Sequence, residues 1–228
     1  LVAAADDMPD TSTLFRGAGA DVAALRLLPP LPETTDEVCA IAAVLGATPD
    51  SLHLGSAATE TELRHLSADG DLARAGVLHF ATHGLVSGEL SGLAEPAIVL
   101  TPPEAGEGTD DDGLLTASEV TTLKLDADWV ILSACNTASS DGTGSEALSG
   151  LARAFFYAGA RALMVSHWPV SSEAAVRLAS GAVEALVEDP AIGKAEALRR
   201  AMVAEIDRGG AAADPASWAP FILVGASR

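Results

Sequence analysis

Two short apolar runs in this chain each end in a residue that can do chemistry. Val77-Leu78-His79-Phe80-Ala81 leads into Thr82-His83-Gly84, and Asp128-Trp129-Val130-Ile131-Leu132 leads into Ser133-Ala134-Cys135-Asn136-Thr137. A thiolate is a good nucleophile near neutral pH, and an imidazole beside it can deprotonate the thiol and later protonate a leaving amine. The chemistry open to His83 and Cys135 together is acyl transfer through a thioester. A tetrahedral intermediate also needs N–H donors aimed at its oxygen, and the backbone amides of Gly84 and Cys135 are candidates. Taken singly, each residue has a blander explanation: a structural thiol, a satisfied loop histidine, a turn glycine. Their joint position at the ends of two apolar runs favours catalysis.

Both runs have the composition of strands buried on two faces, and α/β sheets place their chemistry at the carboxyl ends of such strands. The other elements follow in order. Leu1 to Ala5 reads as a first strand, and Asp6 to Leu28 has no clear period. Pro29-Pro30-Leu31-Pro32 punctuates the chain before a helix over Glu33–Leu45, with Val38, Ile41, Val44 and Leu45 as its stripe and Gly46 as its stop. Ser51 to Leu54 is a short predicted strand. Thr59 with Glu62, and Thr116 with Glu119, form capping boxes for helices reaching about Leu66 and Leu123. Ala97 to Leu100 is a strand in a hairpin off the main sheet, and the acidic insertion Pro102–Gly113 is a solvated loop. Helices over Glu146–Ala158, from Ser171 or Ser172 to Val187, and over Lys194–Ile206 alternate with strands over Arg161–Ser166 and Phe221–Val224. Such alternation gives one α/β domain over residues 1–228, with a mostly parallel central sheet covered on both faces.

Composition narrows the function. The chain of 228 residues has a formal net charge of −19, which repels nucleic-acid phosphates and anionic lipid. It has no apolar run of about 18 residues, so no membrane-spanning helix is expected. Of its two cysteines, Cys39 falls on the first helix near Val38 and Ile41, where burial is expected. Two such thiols make no disulfide framework, which suits a reducing, cytoplasmic compartment. No cofactor or metal is implied. His79 and His83 lack the spacing of a zinc helix, and Gly142-Thr143-Gly144-Ser145 lacks the Lys of a phosphate loop. No Gly-x-Ser-x-Gly elbow occurs. His79 reads as core or as support for the site, and His167 as packing. The opening Leu1-Val2-Ala3-Ala4-Ala5 suggests a start inside a longer protein.

The order of the two reactive residues, His roughly 50 positions before Cys, is caspase-like. Further stretches carry a fuller resemblance: Leu78-His79-Phe80-Ala81-Thr82-His83-Gly84, Gly113-Leu114-Leu115-Thr116-Ala117-Ser118-Glu119, Leu132-Ser133-Ala134-Cys135-Asn136-Thr137, Gly150-Leu151-Ala152-Arg153-Ala154-Phe155, Ser166-His167-Trp168-Pro169-Val170 and Trp218-Ala219-Pro220-Phe221. Together they resemble the CHAT domain, a bacterial branch of the caspase/separase-like cysteine peptidases. The resemblance implies a caspase-like three-layer α/β/α sandwich with a His83–Cys135 dyad. It implies a cysteine endopeptidase acting on a protein or peptide substrate. It also implies a C-terminal position behind helical repeats such as TPR, which would act as sensor. Ser133, two residues before the Cys, is then implied as a lining residue of the P1 pocket, and Trp168 is a plausible wall. With no Lys or Arg at either strand end, P1 is expected to be neutral or basic rather than Asp. The family usually carries acidic residues after Trp-Pro-Val, where this chain has Ser171-Ser172 before Glu173. The rival reading is a caspase-like interaction module without significant turnover. A nucleotide-binding flavodoxin-like domain is disfavoured for want of a phosphate loop.

Overall fold

The structure, a computed structural model, describes residues 25–85, 95–103, 111–133, 144–168 and 170–228, with only the backbone for 144–149. The expected strand Leu1–Ala5 lies outside the described residues. So do most of the loops 85–95 and 102–113 and the stretch 134–143.

The chain runs α1 (Glu33–Leu45), α2 (Glu60–Ala68), α3 (Asp71–Arg74), β1 (Val77–Phe80), β2 (Gly84–Leu85), β3 (Ala97–Val99), β4 (Leu114–Thr116), α4 (Ala117–Val120), β5 (Trp129–Leu132), α5 (Gly144–Ala158), β6 (Ala162–Ser166), α6 (Ser172–Glu188), α7 (Gly193–Arg208), α8 (Pro215–Trp218) and β7 (Phe221–Gly225). The main sheet has the order β1-β5-β6-β7. β1, β5 and β6 are parallel, and β7 closes the sheet antiparallel to β6. β2, β3 and β4 make a separate antiparallel sheet; the strand expected over Ala97–Leu100 is its centre, and the expected hairpin is a three-stranded sheet with Gly84–Leu85 and Leu114–Thr116 as its edges.

Side-chain alternation along β5 divides the core. Val130 and Leu132 pack with Leu151, Phe155, Val120, Leu163 and Val165 on one face. Trp129 and Ile131 pack with Ile41, Leu178, Val183 and Leu198 on the other. Strands buried on both faces need cover on both faces, so helices flank the sheet and give three layers. Local signals set the helix ends. Gly46, at φ 65°, closes α1 with its N–H on the carbonyls of Ala42 and Ala43, and Ser171 caps α6 by accepting from the Ala174 N–H.

Three local expectations need correction. Residues 51–54 form no strand; Pro49–Ser51 is a 3₁₀ turn, with Ser51 N–H on Thr48 O and Leu52 N–H on Pro49 O. Pro49 pre-sets a helical φ at its first position. The Thr116–Glu119 capping box is complete, but α4 ends at Val120. At α2 only Thr59 caps, because the Glu62 carboxylate turns instead to His53 Nδ1 at 3.5 Å.

The acidic insertion is also less solvated than its composition suggests. Asp111 is 5% exposed and accepts from both the amide and the hydroxyl of Thr61. The Glu60 carboxyl accepts from the Asp112 and Gly113 amides at 2.8 and 2.9 Å and from Arg64 at 2.9 Å. Burial first, then the hydrogen bond with Asp111, pushes Glu60 up to about 8, against the pull of the Gly113 amide. Burial pushes Asp111 up too, but hydrogen bonds from Glu60 and Thr61 outweigh it and leave Asp111 below the usual carboxylate value. Burial thus favours the neutral form of Glu60, while its hydrogen bonds keep Asp111 the more acidic of the two.

Because the folded Glu60 value lies above the unfolded one, the stability it contributes is complete below about 4.5 and drains away as pH rises toward about 8. The melting temperature should fall across that window. Glu60→Gln, which supplies a fixed N–H donor to Asp111, should flatten the slope; an unchanged slope in the variant would place its origin elsewhere.

Candidate active site

β1 and β5 run parallel in a register that sets Val77 beside Trp129 and Phe80 beside Leu132. The Ser133 amide extends the pairing by donating to Phe80 O at 3.1 Å. His83 comes three residues after Phe80, and Cys135 three residues after Leu132. Cys135 lies outside the described residues; the strand that leads to it is described as far as Ser133.

His83 is held at both its backbone and its ring. Its carbonyl accepts from the Val99 amide at 2.8 Å, while the Thr82 hydroxyl donates to Val99 O at 2.7 Å, so the turn is stitched to β3. The ring Nε2 lies 2.7 Å from Pro29 O. A carbonyl can only accept, so the proton sits on Nε2 and the Nδ1 lone pair is left to act as a base. The Pro29 carbonyl is a contributor that sequence reading missed. Pro29-Pro30 marks a break in the chain, and nothing in its spacing signals a partner in a strand far downstream.

Gly84 is buried and begins β2 rather than serving as a plain turn residue. The bond from Val99 N–H to His83 O makes Gly84–Ile98 the pair without ladder hydrogen bonds, so the Gly84 N–H is not spent on β3. Ser133 is 7% exposed. Trp168, just past the end of β6, is 39% exposed and so stands as an open feature of the neighbouring strand end. His167 packs at the same end, with its amide on Pro220 O at 2.9 Å.

Beneath the strand ends lies a buried polar group. His79 Nε2 is 3.1 Å from Ser133 Oγ and 2.9 Å from Glu37 Oε1. The His79 and Glu37 side chains are only 7% and 2% exposed. The approach to Glu37 falls outside the direction of a ring hydrogen bond, leaving Glu37 Oε1 without a directed donor and His79 Nδ1 without any partner. Glu37 is the second residue the sequence reading missed. Its available signal was position: four residues before Ile41, it shares a helix face with the core.

That helix phase also corrects Cys39. With Glu37 and Ile41 turned inward, Cys39 is exposed, not buried among Val38 and Ile41.

The chain belongs to the caspase-like CHAT domain family, whose model matches residues 3–226. Two curated relatives are Tetratricopeptide repeat protein 28 of Homo sapiens and of Mus musculus. Each is 30% identical over 229 residues, covering 86% of this chain and 8% and 9% of the respective relatives. The chain thus spans less than a tenth of these relatives. No helix among the described residues is long and apolar enough to cross a membrane.

Exposure of Cys39 predicts that Cys39→Ser changes stability by no more than about 0.5 kcal/mol, the usual range for a surface substitution. Chemical denaturation checks this, and a loss of several kcal/mol would contradict the phase assigned to α1.

Proposed function

We propose that this domain is a cysteine endopeptidase in which His83 and Cys135 form the catalytic dyad. The observation that carries this reading is the β1–β5 register, combined with an imidazole whose Nε2–H is engaged by Pro29 O. His83 Nδ1 takes the Cys135 thiol proton, and the thiolate attacks the scissile carbonyl. The amides of Gly84 and Cys135 stabilise the oxyanion. Collapse of the tetrahedral intermediate breaks the C–N bond, and the imidazolium protonates the departing amine. Water, deprotonated by the same imidazole, then hydrolyses the thioester and regenerates the thiol. Pro29 O keeps the imidazole in one tautomer and stabilises the imidazolium that forms, as a third group does in hydrolase triads.

Ser133 and Trp168 are assigned to the P1 pocket. Neither supplies a cation, and an Asp side chain desolvated there would lack a counter-charge. Neutral or basic P1 residues are therefore favoured. The curated relatives are tetratricopeptide repeat proteins by name, which supports control of this domain by an upstream helical-repeat region that senses a partner. The reading as an interaction module without turnover becomes the alternative outcome of the test.

Cys135→Ala and His83→Ala should each lower peptide hydrolysis by on the order of 10³-fold or more, and the double variant should lose little further, since the two groups act as a unit. The assay is turnover of a P1-scanning fluorogenic library by the full-length protein, with thermal melting as the fold control. Wild-type turnover by Cys135→Ala would refute the mechanism. A full-length protein that neither cleaves peptides nor reacts with a peptidyl electrophile would support the interaction module. A clear preference for Asp at P1 would overturn the pocket assignment and leave the dyad intact.

A further inference from the structure

The Glu37–His79–Ser133 group invites a reason for its existence. It joins three elements: Glu37 from α1, His79 from β1 and Ser133 at the carboxyl end of β5. The Glu37 residue is 1% exposed and Ser133 is 7% exposed. Ser133 Oγ meets His79 Nε2 at 3.1 Å and lies 3.4 Å from Phe80 O, which accepts its hydroxyl proton. The Ser133 amide also bonds Phe80 O, at 3.1 Å. One residue is thus fixed through backbone and side chain together, and it is the residue two before Cys135.

Stability alone is a poor explanation for this arrangement. Apolar side chains of similar volume often replace buried polar or ionic groups with no loss, or a gain, in stability. The group is also under-satisfied, with Glu37 Oε1 and His79 Nδ1 lacking directed partners. A buried polar atom without a partner is uncommon and calls for a role. The surroundings are apolar, since Ile41, Trp129 and Ile131 are buried on the same side of the sheet, so packing would have been served by another Leu or Ile.

We propose that Glu37, His79 and Ser133 are positioning residues that fix the carboxyl end of β5 at Ser133, two residues before the proposed nucleophile, and so raise the reactivity of Cys135. Glu37 holds the His79 ring against Ser133 Oγ, and the ring and Phe80 O hold the Ser133 hydroxyl between them. Glu37 is enclosed between α1 and the sheet, and the role proposed here is separate from the P1 lining assigned to Ser133: the group acts on the backbone that leads to the nucleophile. This inference rests on the dyad reading, and its test must separate the two.

The test is the rate of Cys135 alkylation by iodoacetamide, a probe with no P1 side chain, read by peptide mapping on native full-length protein. Exposed Cys39 serves as the internal reference thiol. In the wild type Cys135 should react faster than Cys39; equal or slower reaction would refute the dyad itself. Given a fast wild type, Ser133→Ala should slow Cys135 by at least about tenfold, the scale expected for a small misplacement of a reacting group. Ser133→Thr, which restores the hydroxyl, should recover most of the rate. The double replacement Glu37→Leu with His79→Leu should slow Cys135 likewise while leaving the melting temperature unchanged or higher. Wild-type Cys135 reactivity in Ser133→Ala would overturn the positioning role. So would loss of reactivity that Ser133→Thr fails to recover. If the Leu pair does not fold, the Ser133 variants decide the question alone.

Discussion

The parallel pairing of β1 with β5 is the constraint on which the rest of the domain depends. Its register places Phe80 against Leu132 and lets the Ser133 amide reach Phe80 O. A slip of one residue would turn the apolar set of β5 to the wrong faces, since side chains alternate. Val130 and Leu132 would leave the Phe155 side of the core, and Trp129 and Ile131 would leave the Leu178 side. That double penalty pins the register. It also sets Phe80 level with Leu132, residues that precede His83 and Cys135 by the same three positions.

Around that edge, polar groups do what packing cannot. The Pro29 carbonyl selects one tautomer of His83, and β3 fixes the His83 backbone. On the other side Glu37 and His79 accept a buried, imperfectly satisfied arrangement to hold Ser133. The Glu60–Asp111 pair is a third case. It ties the end of the acidic insertion to the start of α2 through amide donors, Thr61 to Asp111 and Asp112 and Gly113 to Glu60. All three join segments far apart in sequence; the Pro29–His83 contact lies at the surface, whereas the Glu37–His79–Ser133 and Glu60–Asp111 groups are buried.

Which features were legible in the sequence follows from whether their cause is local. Helices α1, α5, α6 and α7 and strands β1, β5, β6 and β7 were readable because periodicity, Ser171 capping and the Gly46 stop act within a few residues. The separate hairpin was also visible as a short apolar strand between loops. The region 51–54 misled because Leu52 and Leu54 suggest alternation, whereas Pro49 imposes a turn just before it. Cys39 misled because the apolar stripe of α1 was phased on Val38, and the buried partner of Ile41 is the charged Glu37. A Glu facing a core reads as an error until His79, on strand β1, is placed beside it. Pro29 and Asp111 were unreadable for the same reason: their partners are supplied by the tertiary fold.

The proposed mechanism requires a covalent intermediate at the Cys135 thiol. The direct measurement is an acid quench of full-length protein in the presence of a peptide ester with a neutral P1 residue, followed by intact-mass and peptide mapping. A hydroxylamine-labile acyl adduct on Cys135, absent from His83→Ala and absent from Cys39, is the predicted result. An adduct confined to Cys39, or acylation of Cys135 that is indifferent to the loss of His83, would contradict it.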